Sequence, residues 1–422
     1  MTLAFRFATS LVTFSLAATF SAFAEEPALK LKDQDVWVMA GDSITAQRLH
    51  TNYIEAYYRT RYPQLHLHFR NSGIGGNRTG NVLKRFDYDV AAWKPTIVSV
   101  ELGMNDVNGP LEAYVNGEKE LVARIRALPA QPILISSSPV NDGSMMGAFK
   151  SERCEKLHPF TEALQKVASE EKVTFVDQFH ALIDLWGDNR RKGAEAAAKQ
   201  NPPATPPPAP EPGKPAPIPP SLVSLEGDAV HTGSVGQYTM AATILKSLKA
   251  DGEVSSATIS ADGKLTEAKR CAITELSSKD GKLSFTRLDE AGPWPILPHA
   301  RTAVKVLPEM LDLSRYMLRV TGLADGEYRV SINGKPAAKV TAKDLAAGWN
   351  MTTVFDGALG ERSTAILGLI AKLQGNLNND WRAASQAKDA DKLAAAQAAI
   401  DACETELQKL VQPVPLQFTI EK

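Results

Sequence analysis

Five short apolar runs, set apart by longer helical stretches, limit what this chain can fold into more than any other feature. Residues 36–40, 65–69, 96–102, 132–137 and 173–177 each have the length and the β-branched or aromatic content of a strand. The intervals carry helical spacing: Leu49, Tyr53, Ala56 and Tyr57 fall on one face of a helix that Pro63 ends. Repeated strand–helix–strand units need crossover connections, and crossovers make a parallel sheet with helices on both faces. No dinucleotide-binding glycine fingerprint accompanies them. The expected fold is therefore α/β, a three-layer, doubly wound domain around a five-stranded parallel sheet.

The 422 residues exceed one such domain. At the amino terminus Arg6, an apolar stretch over 7–20 and Ala22-Phe23-Ala24 before Glu25-Glu26 describe a secretory signal peptide over 1–24. The apolar stretch is shorter than the roughly 20 residues a membrane span requires, so the mature chain is expected outside the cytoplasm. The α/β domain is assigned to 25–250. A proline-rich insertion over 190–220 interrupts it, with 201–220 expected as an extended, solvated loop that is either a surface insertion or a flap. From 251 the pattern changes. Tyr316, Leu318 and Val320 alternate up to Asp325-Gly326, and Tyr328, Val330 and Ile332 alternate up to Asn333-Gly334. Such turns between alternating runs signal hairpins, so 251–355 is read as a small antiparallel β unit. Residues 356–422 read as a helical hairpin, with Leu393, Ile400, Cys403, Leu407 and Leu410 on one face, and a last strand through Leu416, Phe418 and Ile420.

A formal net charge of −1 gives no electrostatic footprint for nucleic acid or an anionic membrane. Cys154, Cys271 and Cys403 form no C-x-x-C pair, which excludes a zinc knuckle or a dithiol motif and leaves reduced, buried thiols as the expected state. No metal and no cofactor is implied.

In an open parallel sheet, ligands bind beyond the carboxyl ends of the strands, and three loaded segments fall there. Gly41-Asp42-Ser43 ends the first run, Asn71-Ser72-Gly73-Ile74-Gly75-Gly76-Asn77 follows the second, and Gly103-Met104-Asn105-Asp106 follows the third. A serine hydroxyl becomes a nucleophile only with a general base, a group that orients the base, and donors for the developing oxyanion. Asp228 and His231, three residues apart, supply orienter and base. The bare N–H of Gly76 and the neutral amide of Asn105 supply donors. Asp42, Asn77 and Arg78 are candidate substrate contacts, and Asp106 is a candidate brace for the Asn105 loop.

Competing motifs are incomplete. The glycines from Gly75 to Gly80 lack the Lys and Ser or Thr of a phosphate loop. His66-Leu67-His68 has no third ligand and reads as a solvated strand face. Gly41 to Thr45 departs from the G-x-S-x-G elbow. Trp294, Trp349 and Trp381 could stack on sugars or simply fill a core.

Taken together and in order, Gly41-Asp42-Ser43, Gly76, Asn105 and Asp228-Ala229-Val230-His231 resemble the four blocks of the GDSL or SGNH hydrolase superfamily. The resemblance spans 36–250, about half the chain. It implies a flavodoxin-like domain with Ser43 as nucleophile, His231 as base and Asp228 as its orienter. The Ser43 and Gly76 N–H groups and the Asn105 side chain would form the oxyanion hole. The first block departs from the family pattern in ending Gly-Asp-Ser-Ile, and the proline-rich insertion precedes the last block. The expected function is an exported serine esterase that deacetylates an acylated carbohydrate, with activity falling as acid protonates the base. The alternatives are a lipase- or lysophospholipase-type esterase, and a binding or scaffold protein with a vestigial hydrolase site.

Overall fold

The computed structural model describes residues 28–200 and 218–422. The expected signal peptide and most of the proline-rich stretch lie outside the described residues. Five strands, β1 (Val36–Gly41), β2 (His68–Gly73), β3 (Ile97–Leu102), β4 (Gln131–Ser136) and β5 (Thr174–Val176), form an all-parallel sheet in the order β2-β1-β3-β4-β5. That order is the flavodoxin-like one, with its switch point between β1 and β3. After β1 come α1 (Ser43–Ala46) and α2 (His50–Arg61), then α3 (Thr79–Asp89), α4 (Leu111–Arg126), α5 (Glu152–Glu171), α6 (Gln178–Gln200) and α7 (Ser234–Ser247). Helices α2, α6 and α7 pack together on one face, and α3, α4 and α5 on the other. The three-layer α/β expectation holds.

Two local expectations do not. The second strand starts at His68 rather than 65 and continues through the polar residues Arg70, Asn71 and Ser72, all buried. Residues 190–200 are the last turns of α6, because helical periodicity persists there up to the prolines.

The remaining strands are β6 (Glu253–Ser260), β7 (Leu265–Lys269), β8 (Cys271–Lys279), β9 (Lys282–Asp289), β10 (Arg315–Thr321), β11 (Glu327–Ile332), β12 (Lys335–Thr341), β13 (Trp349–Asn350) and β14 (Leu416–Glu421). They build two facing sheets, ordered β13-β10-β6-β7 and β12-β11-β14-β9-β8, around one hydrophobic core. Asn333-Gly334 does turn the β11–β12 hairpin. Asp325-Gly326 does not make a hairpin: β10 pairs in parallel with β6, and the turn carries the chain from one sheet to the other. The unit is thus a sandwich with one parallel pair rather than a purely antiparallel one. The last strand, β14, lies between β9 and β11, with Phe418 stacked on Phe285 at 4.9 Å.

Short helices α8 (Ala303–Val306) and α9 (Ala342–Ala347) precede the carboxyl-terminal helices α10 (Gly357–Lys372), α11 (Asn378–Ala387) and α12 (Ala390–Leu410). Side chains from 294–313 and 366–411 join the hydrophobic core of the parallel-sheet domain. Trp294 and Trp381 belong to that core, at 2% and 4% exposure, and Trp381 stacks on Trp93; neither is free to stack on a sugar.

The segment Leu373–Leu377 between α10 and α11, together with α11, closes the open edge of β2. An edge strand presents unpaired N–H and C=O groups. Here the Gln374 side chain stands in for a neighbouring strand: its Nε2 donates to Phe69 O at 2.7 Å and its Oε1 accepts from Asn71 N at 3.1 Å. Asn378 Nδ2 donates to Asn71 O at 2.8 Å, and Arg382 Nη2 reaches the same oxygen at 3.1 Å.

Candidate active site

Beyond the carboxyl ends of β1, β2 and β3, the three loops converge. Gly41 ends β1 because nothing larger fits: a Cβ there would lie 2.0 Å from the Thr45 hydroxyl. Asp42 then caps α1, its Oδ1 accepting from Ile44 N at 2.9 Å, which places Ser43 at the first helical position. An N–H at that position has no partner within its helix.

The structure brings Ser43, His231 and Asp228 together. Ser43 Oγ lies 2.8 Å from His231 Nε2, and His231 Nδ1 lies 3.1 Å from Asp228 Oδ2. The other Asp228 oxygen accepts from the backbone N–H groups of Val230 and His231, both at 2.7 Å. Those bonds, His231 N first, hold the Asp228 carboxyl below the usual carboxylate range, so it is ionised as it faces the imidazole. The loop closes on itself through Asp228 N to His231 O at 3.1 Å, which requires Gly227: it has φ +64°, and a Cβ would sit 2.0 Å from His231 O.

Gly76 turns the second loop at φ +73°, closed by Asn77 N donating to Ile74 O at 3.2 Å. Its neighbour Gly75 lies against the nucleophile, since a Cβ there would be 3.9 Å from the Ser43 Cβ. Asn105 enters from the third loop. Its Nδ2 donates to Asn77 O at 3.1 Å and, more weakly, to Asp42 Oδ2 at 3.4 Å. Asp106 ties this loop to α3, with Oδ1 accepting from Thr79 N at 3.0 Å and Oδ2 from Gly103 N at 3.2 Å.

The three expected substrate contacts are placed differently. Asp42 is 2% exposed and faces the interior as the cap of α1. Burial, and then the nearby Glu101 carboxylate, push its carboxyl up to about 7. Asn77 turns its Oδ1 inward to Arg85 Nε at 2.9 Å. Arg78 is exposed and opens α3, its backbone N–H held by Asn81 Oδ1 at 3.0 Å. His66 and His68 are no pair: His66 bonds Asp33, while His68 Nδ1 lies 2.7 Å from Glu404.

A buried polar chain beneath Ser43 escapes the motif reading. Glu101 Oε2 lies 2.9 Å from His50 Nε2, and His50 Nδ1 lies 2.6 Å from Gln237 Oε1. Because Gln237 Oε1 also accepts from His50 N at 3.1 Å, its orientation is fixed and the ring nitrogen must donate. From Gln237 the chain runs through Gln47 to Thr232 O, next to His231, at 2.9 and 3.1 Å. Burial disfavours both charges, but the partner's charge and the surrounding hydrogen bonds, with Gln237 for His50 and with Gln178 and Thr45 for Glu101, together outweigh it: His50 is held above its ordinary value and Glu101 below. The pair is an imidazolium–carboxylate bridge. One signal in the sequence points to it, a carboxylate inside the buried and mostly apolar β3.

Residues 39–196 match a family model described as GDSL-like Lipase/Acylhydrolase family. The chain carries a GDSL-like hydrolase domain. An acetylxylan esterase of Geobacillus stearothermophilus is 26% identical over 140 residues, which is 32% of this chain. The chain spans 64% of the length of that relative. A solved structure of a gut microbial diltiazem-metabolizing enzyme superposes with a TM-score of 0.74 at 20% identity, covering 93% of this chain and 98% of that one. That likeness extends the shared fold beyond the GDSL-like domain to the sandwich and the terminal helices.

Proposed function

We propose that this protein is a carboxylic ester hydrolase working through an acyl-Ser43 intermediate. The 2.8 Å contact between Ser43 Oγ and a histidine that is itself held by Asp228 carries the proposal. His231 takes the Ser43 proton as the hydroxyl attacks the ester carbon, and Asp228 stabilises the imidazolium. The tetrahedral oxyanion is received by the N–H groups of Ser43 and Gly76 and by Asn105 Nδ2, which exchanges its weaker 3.4 Å contact with Asp42 for the stronger acceptor. His231 returns the proton to the departing alkoxide, and water repeats the sequence to release the acid.

The acyl group is short, acetyl being the first choice, and the chain is exported after cleavage near Ala24. The acetylxylan esterase relative supports the first reading, and the Arg6, apolar and Ala-x-Ala pattern the second. Among the described residues no helix is long and apolar enough to cross a membrane. For the alcohol half, a carbohydrate has that relative in its favour, while a cavity lined in part by Ala229, on the His231 loop, favours an apolar group. Acetate release by the native protein and by Ser43→Ala tests the mechanism. The variant should retain less than about one part in 10³ of native kcat with its melting temperature unchanged; full activity would overturn the assignment.

A further inference from the structure

The proton's route fixes a direction in the site. His231 Nε2 must reach the departing alkoxide, so the alcohol oxygen lies on the His231 side of Ser43, and whatever it carries extends along the 226–233 loop. Against that loop lies a cavity of about 870 Å³, built by the segment after β4, by α6, by Ile218 and Pro219, and by Ala229, which stands between Asp228 and His231.

The cavity walls are tied to the loop and to one another. Asn141 N donates to Ala229 O at 2.7 Å, Arg190 Nε to Asn141 Oδ1 at 3.1 Å, and Arg190 Nη1 to Pro219 O at 2.6 Å. At Gly187 a Cβ would lie 2.4 Å from Ser144 O, so α6 meets the β4 segment with no room for a side chain. A cavity braced in this way is formed before its ligand arrives.

Its chemistry is specific. Val140, Met145, Ala148, Ile218, Pro219 and Ala229 give it an apolar wall. Of its charged residues, Arg190 is engaged as above, Arg191 pairs with Asp188 and Glu195, Glu152 pairs with Lys156, and Lys150 is exposed; Asp142 Oδ1 accepts from Ser144 N at 2.8 Å, while its buried Oδ2 has no hydrogen-bond partner among the described residues. Among the described residues none that lines it is aromatic, so it lacks the stacking face on which a sugar ring rests. Three of the seven large hydrophobic side chains exposed among the described residues stand on the segments that build it: Met146, Ile218 and Leu222. Clustered exposed apolar side chains mark a binding surface.

We infer that this cavity is the subsite for the alcohol half of the ester, and that this half is a bulky apolar alcohol such as an aryl-alkyl or fused-ring one. The inference rests on the esterase reading above and deepens it. Ethyl acetate and 2-(1-naphthyl)ethyl acetate share the acyl group and a primary alkoxide leaving group, so their intrinsic reactivity is matched. The native enzyme should hydrolyse the naphthyl ester with a kcat/KM at least about tenfold higher, mostly through KM, because the ring system leaves water on binding. Ala148→Trp, a change at an exposed position on the cavity rim, should abolish that advantage by raising KM for the naphthyl ester, with Ser43 still labelled by a fluorophosphonate. Equal kcat/KM for the two esters, an Ala148→Trp variant that still discriminates, or a preference for acetylated xylo-oligosaccharide over the naphthyl ester would each overturn the inference while leaving the esterase reading standing. Failure to hydrolyse any acetate ester, with no labelling of Ser43 by a fluorophosphonate, would overturn both.

Discussion

Asp42 shows what a single residue gives up to hold this site. As a cap it fixes the start of α1, and as a neighbour it steadies Asn105, but its burial beside Glu101 raises its carboxyl to about 7. In the unfolded chain the same group titrates near its ordinary 3.8. Between those values the folded state holds the extra proton, so folding stability falls as pH rises from about 4 to about 7. Asp42→Asn, which keeps an oxygen for Ile44 N, should remove that slope. Melting temperatures of the two proteins should diverge across this window, the variant gaining on the native protein as pH rises; parallel curves would refute the assignment. The residues of the four blocks were legible in the sequence because each does something only its type can do: Gly76 adopts a positive φ, Asp228 accepts two loop N–H groups, and Asn105 donates without titrating. His50, Gln237 and Gln47 carry no such local mark. They are joined across 187 residues of sequence, and only the packing of α2 on α7 brings them together.

At the scale of elements, β2 is where the sequence misled. Leu65, Leu67 and Phe69 alternate like a strand, whereas the actual strand runs on through Arg70, Asn71 and Ser72. Polar residues can occupy a buried strand when their partners come from elsewhere. Arg70 has Glu404 at 2.6 Å, Ser72 has Asp89 at 2.8 Å, and the Asn71 backbone has Gln374 and Asn378. The Asn71 side chain in turn donates to Thr45 O at 2.7 Å, in the short helix that begins with Ser43. The edge cap therefore reaches the nucleophile in two steps. Gln374→Ala leaves Phe69 O and Asn71 N without these partners, and should cost about 2–4 kcal/mol in urea denaturation and lower kcat more than it raises KM. A variant as stable as the native protein would show that the edge needs no cap.

Across the whole molecule, the catalytic proposal depends on chain far outside the matched family segment. Glu404, on α12, receives His68, Arg70 and Arg59. Burial alone would raise its carboxyl, but the His68 hydrogen bond and the two guanidiniums outweigh it and bring it down to about 2. The terminal helices thus share a core and a buried charge network with the hydrolase domain, and β14 completes the sandwich. The α/β rhythm was readable from periodicity, a local property. The docking of 356–422 was not, since it rests on polar pairs more than 300 residues apart. If the complete fold is what assembles Ser43, His231 and Asp228, covalent trapping should report it. A fluorophosphonate applied to the folded protein, followed by peptide mass spectrometry, should place one adduct on Ser43. Labelling should be lost in His231→Ala and in urea-unfolded protein. No adduct on Ser43, or equal labelling of folded and unfolded chains, would contradict the account.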